Sequence, residues 1–255
     1  MSYENLFKLT GKIALIVGAA GGLAGETSLG LAQFGATLAL ADIDSEGLKN
    51  VCNDLRKKGI EAWSKTVDVT NETYVESLIN AVQNQFGRLD IMINFAGVAW
   101  PTPIEKINVT EFQKIIDINL RGSFLLAQQS LSLMLPQRSG KIILVGSVSG
   151  HIGRPFSAHY SASKGGVHAM VRTMAVEMAK NNIQINSIAP VFTLTKMSES
   201  VLLNSELKKS IISTIPMGRL GLPSDLVGAM IFLTSSASDF ITGQTIFVDG
   251  GCTIS

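Results

Sequence analysis

The chain has 255 residues, of which 46% are hydrophobic and 16% are charged, and its formal net charge is +1. This composition argues against disorder, and the length can bury a large core in one α/β domain or two small ones. A near-neutral chain without a cluster of Lys and Arg argues against a nucleic-acid partner, because that binding needs concentrated positive charge.

The sequence favours a soluble, cytoplasmic protein. Cys52 and Cys252 lie far apart without metal-ligand spacing, so we interpret them as unpaired thiols and expect no metal. Residues 1–10 lack the apolar core of a signal peptide, and no apolar run is long enough to span a bilayer. We therefore expect no membrane partner.

Short β-branched runs alternate along the chain with longer amphipathic segments. The predicted strands are Ile13–Val17, Thr37–Ala41, Ala62–Val67, Leu89–Ile93, Lys141–Val145, Ile183–Ile188 and Thr245–Val248. The predicted helices are Gly22–Phe34, Ser45–Lys58, Asn71–Phe86, Thr110–Leu135, Ala158–Lys180 and Pro223–Thr234, and Thr110 is expected to cap its helix with Gln113 three residues on. Strands joined through helices predict a parallel sheet of about seven strands with helices on both faces, in one doubly wound α/β domain over residues 1–255.

Residues 192–217 interrupt this alternation. Met197, Leu202, Leu203, Ile211 and Ile212 lie in a segment that begins and ends in loop-like sequence. We interpret the segment as a lid over a substrate pocket, with an ordinary helical insertion as the alternative.

A glycine-rich turn follows the first strand and opens the next helix. It contains Gly18, Gly21, Gly22 and Leu23, and it would let backbone N–H groups and a helix N-terminus approach a pyrophosphate. The spacing is not G-x-G-x-x-G, and tight packing of strand on helix is the alternative explanation.

The second strand ends at Asp42, where a carboxylate suits the two hydroxyls of an adenosine ribose. Asp42 would repel a 2′-phosphate, and neither Ile43 nor the glycine-rich turn supplies a compensating cation, so the sequence favours NAD over NADP. The alternative is that Asp42 caps the next helix, a role that Asp44 or Ser45 would fill equally well.

Tyr160 and Lys164 lie four residues apart in a predicted helix, so their side chains share one face. A phenol needs its pKa lowered from ~10 towards ~7 for acid-base work at neutral pH, and a nearby ammonium supplies a stabilisation of about that size. Taken alone the pair is a weak motif, since a Tyr near a Lys on one helix face is common.

The position of the pair strengthens it. Ser147 follows the predicted strand that ends at Val145, where ligands bind open α/β sheets, although a turn serine is the alternative. Asn119 is a poor helix former in mid-helix, which indicates a kink or a side-chain cap. His151 and His159 flank the region and are more often ordinary polar residues than proton relays.

Together these residues resemble the short-chain dehydrogenase/reductase family over essentially the whole chain. The motifs that carry the resemblance are Gly18-x-x-x-Gly22, Asp68-Val69, Asn94-Phe95-Ala96-Gly97, Asn119, Ser147, Tyr160-Ser-Ala-Ser-Lys164, Ala189-Pro190 and Val248-Asp-Gly-Gly251. The resemblance implies a Rossmann fold and a hydride-transferring oxidoreductase with a small-molecule substrate.

The resemblance also implies roles for these positions. Tyr160 would exchange the proton, Ser147 would orient the substrate oxygen, Lys164 would hold the nicotinamide ribose, and Asn119 would position a water. The implied cofactor-binding residues are Gly18, Gly21, Gly22, Leu23, Asp42, Ile43, Asp68, Val69, Asn94, Ala96, Gly97, Tyr160, Lys164, Pro190, Thr193 and Thr195. A homotetramer is implied through the two long helices and the C-terminal strand.

Four positions depart from the family pattern. Ala24 replaces the third glycine of the turn, Val17 replaces a Thr, Phe95 replaces an Asn, and Val191 replaces a Gly. None of these changes removes a reacting group, but Ala24 and Val191 bear on the cofactor contacts.

Three hypotheses about function follow. The first is an NAD-linked dehydrogenase of a secondary alcohol, sugar or polyol, and the second is a 3-oxoacyl-thioester reductase, which Lys180 as the single cation of 175–181 disfavours. The third is an inactive dinucleotide-binding sensor. The substrate pocket is expected to be partly apolar, with Trp100, Phe156, Phe192, Met197 and Met217 as candidates that could equally belong to the core.

Overall fold

The computed structural model describes residues 3–195 and 204–255. Its strands are β1 Ile13–Val17, β2 Thr37–Asp42, β3 Ala62–Thr66, β4 Ile91–Asn94, β5 Gly140–Val145, β6 Ile183–Pro190 and β7 Thr245–Val248. They form one sheet in the order β3-β2-β1-β4-β5-β6-β7, and every neighbouring pair is parallel. The predicted seven-stranded doubly wound sheet is therefore confirmed.

The helices of the described residues connect these strands. They are α1 Gly22–Gln33, α2 Ser45–Lys57, α3 Glu72–Phe86, α4 Val109–Ile116, α5 Gly122–Gln137, α6 Ala158–Met178, α7 Ser205–Ser213 and α8 Pro223–Thr234. A π-helical turn, Asp117–Arg121, joins α4 to α5. None of these helices is long and apolar enough to cross a membrane.

Helices cover both faces of the sheet, each through an apolar stripe. On one face α3, α5 and α6 contribute buried side chains such as Leu78, Leu126 and Val171. On the other face α1 and α8 contribute Leu31 and Met230, together with residues of α2. Burial of each such side chain stabilises the fold by about 2 kcal/mol relative to exposure, so these two layers hold the strand ends in place.

The direction of winding reverses between β1 and β4. These strands lie side by side, with Ile16 opposite Ile93 and Val17 opposite Asn94, while β2 and β5 lie outside them on either side. In open parallel sheets the carboxyl ends at such a reversal leave a crevice between diverging loops. The loops after β1 and β4 are therefore where a ligand groove is expected.

The single helix predicted over Thr110–Leu135 is instead α4, the π-helical turn and α5, and two predicted element ends are also wrong. The cap of α4 is Asn108, whose side chain accepts from the backbone N–H of Glu111 at 2.9 Å, whereas Thr110 lies inside the first turn. The strand predicted from Leu89 starts at Ile91, because the Gln137 side chain bonds both the N–H and the C=O of Leu89. A different side-chain cap thus sets the start of α4, and a long-range side-chain contact takes the place of ladder pairing at Leu89.

The predicted lid lies only partly in the described residues, and Met197, Leu202 and Leu203 fall outside them. Helix α7 packs through Ile211 and Ile212 against an apolar cluster that includes Val148, next to Ser147 in sequence. The contact places α7 near the carboxyl end of β5, and movement of this segment stays a prediction.

Candidate active site

The glycine-rich turn lies directly against the loop that follows β4. Gly18 has φ +77°, and a Cβ there would lie 2.4 Å from the backbone nitrogen of Ala96. Gly21 forms the N-cap of α1 without a side chain over the helix end. Only glycine fits at Gly18, and the N-terminus of α1 is left accessible to an anion.

Asp42 connects the glycine-rich turn to the start of α2. One carboxylate oxygen accepts from the N–H of Ala20 at 2.9 Å and the other from the N–H of Asp44 at 2.9 Å. The cap of α2 is Asp44, which accepts from the N–H groups of Glu46 and Gly47. Asp42 is thus oriented by backbone amides and is not the cap of the helix.

A cavity of about 1000 Å³ lies at the carboxyl ends of β1 and β4, where the direction of winding reverses. Of the predicted cofactor residues it is lined by Gly18, Gly21, Asp42, Ile43, Asp68, Val69, Ala96 and Gly97. A volume of this size accommodates a large part of a dinucleotide. The structure thus brings eight separately predicted residues together in one groove.

The other predicted cofactor residues do not line this cavity. Asn94 is buried, donates to Ser123 Oγ at 2.9 Å and accepts from the N–H of Ala96, so its side chain holds the loop after β4. Thr195 lies over the start of α1, where a Cβ on Gly22 would be 3.4 Å from Thr195 Cβ. The residues outside the lining of the cavity are Gly22, Leu23, Asn94, Tyr160, Lys164, Pro190, Thr193 and Thr195.

Tyr160, Lys164 and Ser147 meet at the carboxyl end of β5. Lys164 Nζ lies 5.8 Å from the centre of the Tyr160 ring and donates to the carbonyl of Val145 at 2.7 Å. Ser147 hydrogen-bonds Tyr160, and its hydroxyl accepts from the N–H of Ser149 at 3.1 Å. The two hydroxyl groups and the ammonium of the predicted site are therefore neighbours.

Burial dominates the ionisation of this group. It lowers the pKa of Lys164 to about 8. It raises the pKa of Tyr160, and the hydrogen bond with Ser147 opposes only part of that increase. In the protein alone the pKa of Tyr160 therefore shifts away from the value that acid-base work at neutral pH needs, so Lys164 by itself does not achieve the predicted lowering.

Asn119 lies in the π-helical turn between α4 and α5 and is completely buried. Its amide accepts from the N–H of Val98 at 2.8 Å, and it donates to Val98 O at 2.9 Å and to Ser163 Oγ at 3.1 Å. A Cβ on Gly97 would lie 3.3 Å from Asn119 Oδ1 and 3.4 Å from Lys164 Nζ. The departure from α geometry, a feature that often marks functional sites, thus fixes the loop after β4 beside Lys164.

Comparison with known proteins identifies the family. A family model described as enoyl-(acyl carrier protein) reductase matches residues 18–253. The chain belongs to the short-chain dehydrogenase/reductase family. The 3-oxoacyl-(acyl-carrier-protein) reductase of Thermotoga maritima is 35% identical over 97% of this chain and all of that protein. The gluconate 5-dehydrogenase of Gluconobacter oxydans is 34% identical over both full lengths.

A solved structure of the family superimposes closely on this chain. It is a gluconate 5-dehydrogenase from Burkholderia cenocepacia in complex with NADP and tartrate, with a TM-score of 0.94, 33% identity and 98% of each chain covered.

The groove of this short-chain dehydrogenase/reductase has one wall that the sequence-based prediction missed. Thr110, Gln113, Lys114 and Asp117 line the cavity from α4 and the π turn. Their spacing of three, four and seven residues places them on one helix face, and that periodicity is a signal that could have revealed them. They were missed because a polar helix face more often simply contacts solvent.

The predicted apolar pocket residues differ in their surroundings. Phe156 is 58% exposed at φ +60°, and Met217 is 68% exposed. Trp100 packs edge-on against His159, while Phe192 packs on the cluster around Val148. Met197 lies outside the described residues. The described residues also contain no group of three side chains that could hold a metal ion.

Proposed function

We propose that this chain is an oxidoreductase that transfers a hydride between NAD(H) and a secondary alcohol or ketone, with sugars, sugar acids and polyols as its substrate class. The observation that carries the proposal is the meeting of Tyr160, Ser147 and buried Lys164 beside a dinucleotide-sized groove. The gluconate 5-dehydrogenases among its relatives support the substrate class.

In the proposed reaction the hydroxyl groups of Tyr160 and Ser147 bind the same substrate oxygen. In oxidation the Tyr160 phenolate takes the proton of the substrate hydroxyl, and in reduction the Tyr160 hydroxyl donates a proton to the ketone oxygen, while Ser147 hydrogen-bonds that same oxygen. Lys164 stabilises the phenolate and holds the nicotinamide ribose, and Asn119 fixes the loop beside it. Because burial raises the pKa of Tyr160, these electrostatic contributions must act together at neutral pH.

The groove fits a dinucleotide, since the glycine-rich turn leaves the N-terminus of α1 accessible and Asp42 faces the same cavity. When bound, the oxidised cofactor supplies the hydride acceptor and a positive charge that favours the phenolate. Gly18, Gly21 and the start of α1 would hold the pyrophosphate. Asp68, Val69 and Ile43 would border the adenosine.

We propose that NAD is preferred over NADP. Each oxygen of Asp42 accepts one backbone N–H and retains capacity for a ribose hydroxyl. A 2′-phosphate would place almost two further negative charges beside this carboxylate, and the neighbouring Ile43 is neutral. A relative binds NADP, so membership of the family does not decide between the two cofactors. The proposed preference therefore rests on the residues of this chain.

The cofactor preference predicts a kcat/KM at least about tenfold higher with NADH than with NADPH, because like charges ~4 Å apart repel by about 4 kcal/mol at an effective dielectric of ~20 and a factor of ten needs only about 1.4 kcal/mol. Replacing Asp42→Ser should narrow the ratio mainly by improving the NADPH value. Asp44→Ser, which changes the helix cap and keeps Asp42, is the matched control. A wild-type preference for NADPH would contradict the proposal.

The chemistry is tested by a screen of gluconate, polyols, hydroxysteroids, acyl thioesters and simple alcohols, followed by NADH absorbance. For any active compound, Tyr160→Phe should lower kcat by about 100-fold or more while the NADH dissociation constant stays within twofold. Unchanged turnover in this variant would rule out Tyr160 as the acid-base group.

A second candidate is a 3-oxoacyl-thioester reductase, and the Thermotoga relative favours it. Lys180 is the single cation among residues 175–181, at the end of α6 and just beyond it. This segment therefore offers little positive surface for an acidic carrier protein. Efficient NADPH-dependent reduction of an acetoacetyl thioester, with no activity on polyols, would establish it. An NAD-binding chain inactive on every compound would instead indicate a sensor.

We further propose a homotetramer in the cytoplasm. Exposed apolar side chains on the two long helices, Phe124 and Leu135 on α5 and Val176 on α6, support the association of copies. Light scattering should give the mass of four chains.

We also propose that residues 192–217 form a lid over the substrate pocket and belong to the same single domain as the rest of the chain. Proteolytic cleavage within this segment that NADH suppresses would support this role.

A further inference from the structure

A cluster around Glu111 connects three loops near the candidate active site. The Glu111 carboxylate on α4 accepts hydrogen bonds from Trp100 Nε1 and Thr102 Oγ1, both in the loop after β4. It also lies 3.4 Å from Nε2 of His159, which immediately precedes Tyr160. These hydrogen bonds hold the pKa of Glu111 below its usual value, so the carboxylate is charged at neutral pH.

His159 is completely buried within this cluster. Its ring packs edge-on against Trp100 at 6.0 Å between ring centres, and Glu111 is its partner in the described ion pairs. Neither ring nitrogen makes a hydrogen bond of good geometry within the described residues. Because burying an unpaired imidazole nitrogen costs free energy, the Glu111 contact is the interaction that favours this ring position.

The helix that carries Tyr160 has a weak start. Ser157, the N-cap of α6, makes no side-chain capping bond, and its hydroxyl donates to the carbonyl of Pro155 instead. The first turn, with His159 and Tyr160, therefore lacks the side-chain anchor that commonly fixes a helix end. In that turn the buried His159 ring packs against Trp100 and lies beside Glu111, and Tyr160 contacts Ser147.

A backbone hydrogen bond also joins the loop after β4 to the segment before α6. The N–H of Thr102 donates to the carbonyl of Phe156 at 2.9 Å. Phe156 has φ +60°, which is unfavourable for a bulky side chain and persists only where its surroundings fix it. Glu111 therefore holds the loop after β4, and that loop is bonded in turn to the segment that leads into α6 and Tyr160.

We propose that Glu111 and His159 are positioning residues for Tyr160: Glu111, fixed by Trp100 and Thr102, holds the His159 ring and with it the first turn of α6. The pair touches neither the substrate oxygen nor the cofactor in this proposal, which rests on the proposed function. Displacing a catalytic group by about 1 Å lowers turnover by up to about 100-fold, so loss of the pair should affect kcat more than binding.

The test uses the full chain with its best substrate from the screen and NAD. His159→Leu and Glu111→Gln should each lower kcat about tenfold or more, while substrate KM and the NADH dissociation constant stay within threefold. His159→Gln keeps a donor near the position of Nε2 and should recover most of the loss. Glu105→Gln removes an exposed charge from the nearby turn Ile104–Lys106 and should have no effect.

The double variant Glu111→Gln/His159→Leu should be no slower than the slower single variant, because the two residues act as one unit. Wild-type kcat in both single variants, additive losses, or a failure of His159→Gln to recover activity would overturn the proposal. If His159→Leu does not fold, Glu111→Gln and His159→Gln decide the matter. A wild-type chain that turns over no compound would instead contradict the proposed function.

Discussion

A buried lysine lies at each end of strand β5, and the two lysines differ in their partners. Lys141 at the amino end is 8% exposed, and its ammonium lies 2.7 Å from Asp239 Oδ1 and 3.3 Å from Ser238 Oγ. Lys164 at the carboxyl end is 5% exposed, and its ammonium donates to the neutral carbonyl of Val145. One charge has an anionic partner within the chain, while the other has none among the described ion pairs.

The surroundings of the two lysines follow the same division. Near Lys141, buried Asp90 pairs with Arg88 at 2.6 Å and Lys12 at 3.5 Å, and it accepts from the N–H of Ile13. Near Lys164, burial lowers the pKa of His168 to about 4, and the charge of Lys164 adds to that shift. The amino ends therefore contribute stability, and the carboxyl ends keep uncompensated polarity for a ligand.

The largest effect on stability is expected at the amino end. Asp90→Ala removes the partner of Arg88, Lys12 and the Ile13 N–H, and should lower the unfolding free energy by about 2–3 kcal/mol. The half-exposed cations remain hydrated, which keeps the loss below that of a fully buried pair. Urea unfolding measures it, and kcat should not change.

Glu206→Ala at the exposed pair with Lys209 is the control, with a change within about 0.5 kcal/mol. A large drop in kcat for folded Asp90→Ala would show that the two ends are not separable in function.

The carboxyl end should respond in the opposite direction. A pKa of Lys164 lowered to about 8 corresponds to about 3 kcal/mol of destabilisation at pH 7. Lys164→Met removes that penalty and loses one hydrogen bond of about 1 kcal/mol, so the unfolding free energy should rise by about 2 kcal/mol. Turnover should fall by about 100-fold or more, because phenolate formation at Tyr160 loses its ammonium.

The pH dependence of the unfolding free energy is a second test of whether Lys164 destabilises the fold. Below pH 8 the lysine is charged in both the folded and the unfolded chain, so the full penalty is present. Between pH 8 and 10.5 it is neutral only when folded, so the wild type gains stability and the advantage of Lys164→Met shrinks. An advantage that stays constant to pH 10, or a less stable variant at pH 7, would contradict this account of Lys164.

The fold was predictable from the sequence because buried parallel strands and amphipathic helices carry strong periodicity. The exact ends of the helices and strands were less predictable. Asn108 with Glu111 and Thr110 with Gln113 are overlapping capping patterns, and tertiary contacts decide between them, since Glu111 is held by Trp100 and Thr102. Such a decision requires contacts with residues nine and eleven positions away, outside the helix, and the local capping pattern cannot supply it.

The candidate reacting residues could be located because each follows a strand end or a helical spacing, as Ser147 and Tyr160 do. Their ionisation could not be predicted, because spacing gives the approach of Lys164 to Tyr160 without the desolvation of either group. The partnership of His159 with Glu111 was equally hidden, since no sequence motif links these two residues. Burial, a property of the whole fold, controls both.

The smallest effect is expected at Lys141, and it sharpens the comparison most. Burial lowers the pKa of Lys141, while the hydrogen bond and charge of Asp239 raise it in part. Asp239 is 61% exposed, so Lys141→Met leaves it hydrated, and the relief of lysine desolvation offsets the lost pair. The unfolding free energy should therefore change by less than about 1 kcal/mol at pH 7, with turnover unchanged. A gain as large as that of Lys164→Met would mean that Asp239 compensates nothing, and the two ends of β5 would then differ in chemistry alone.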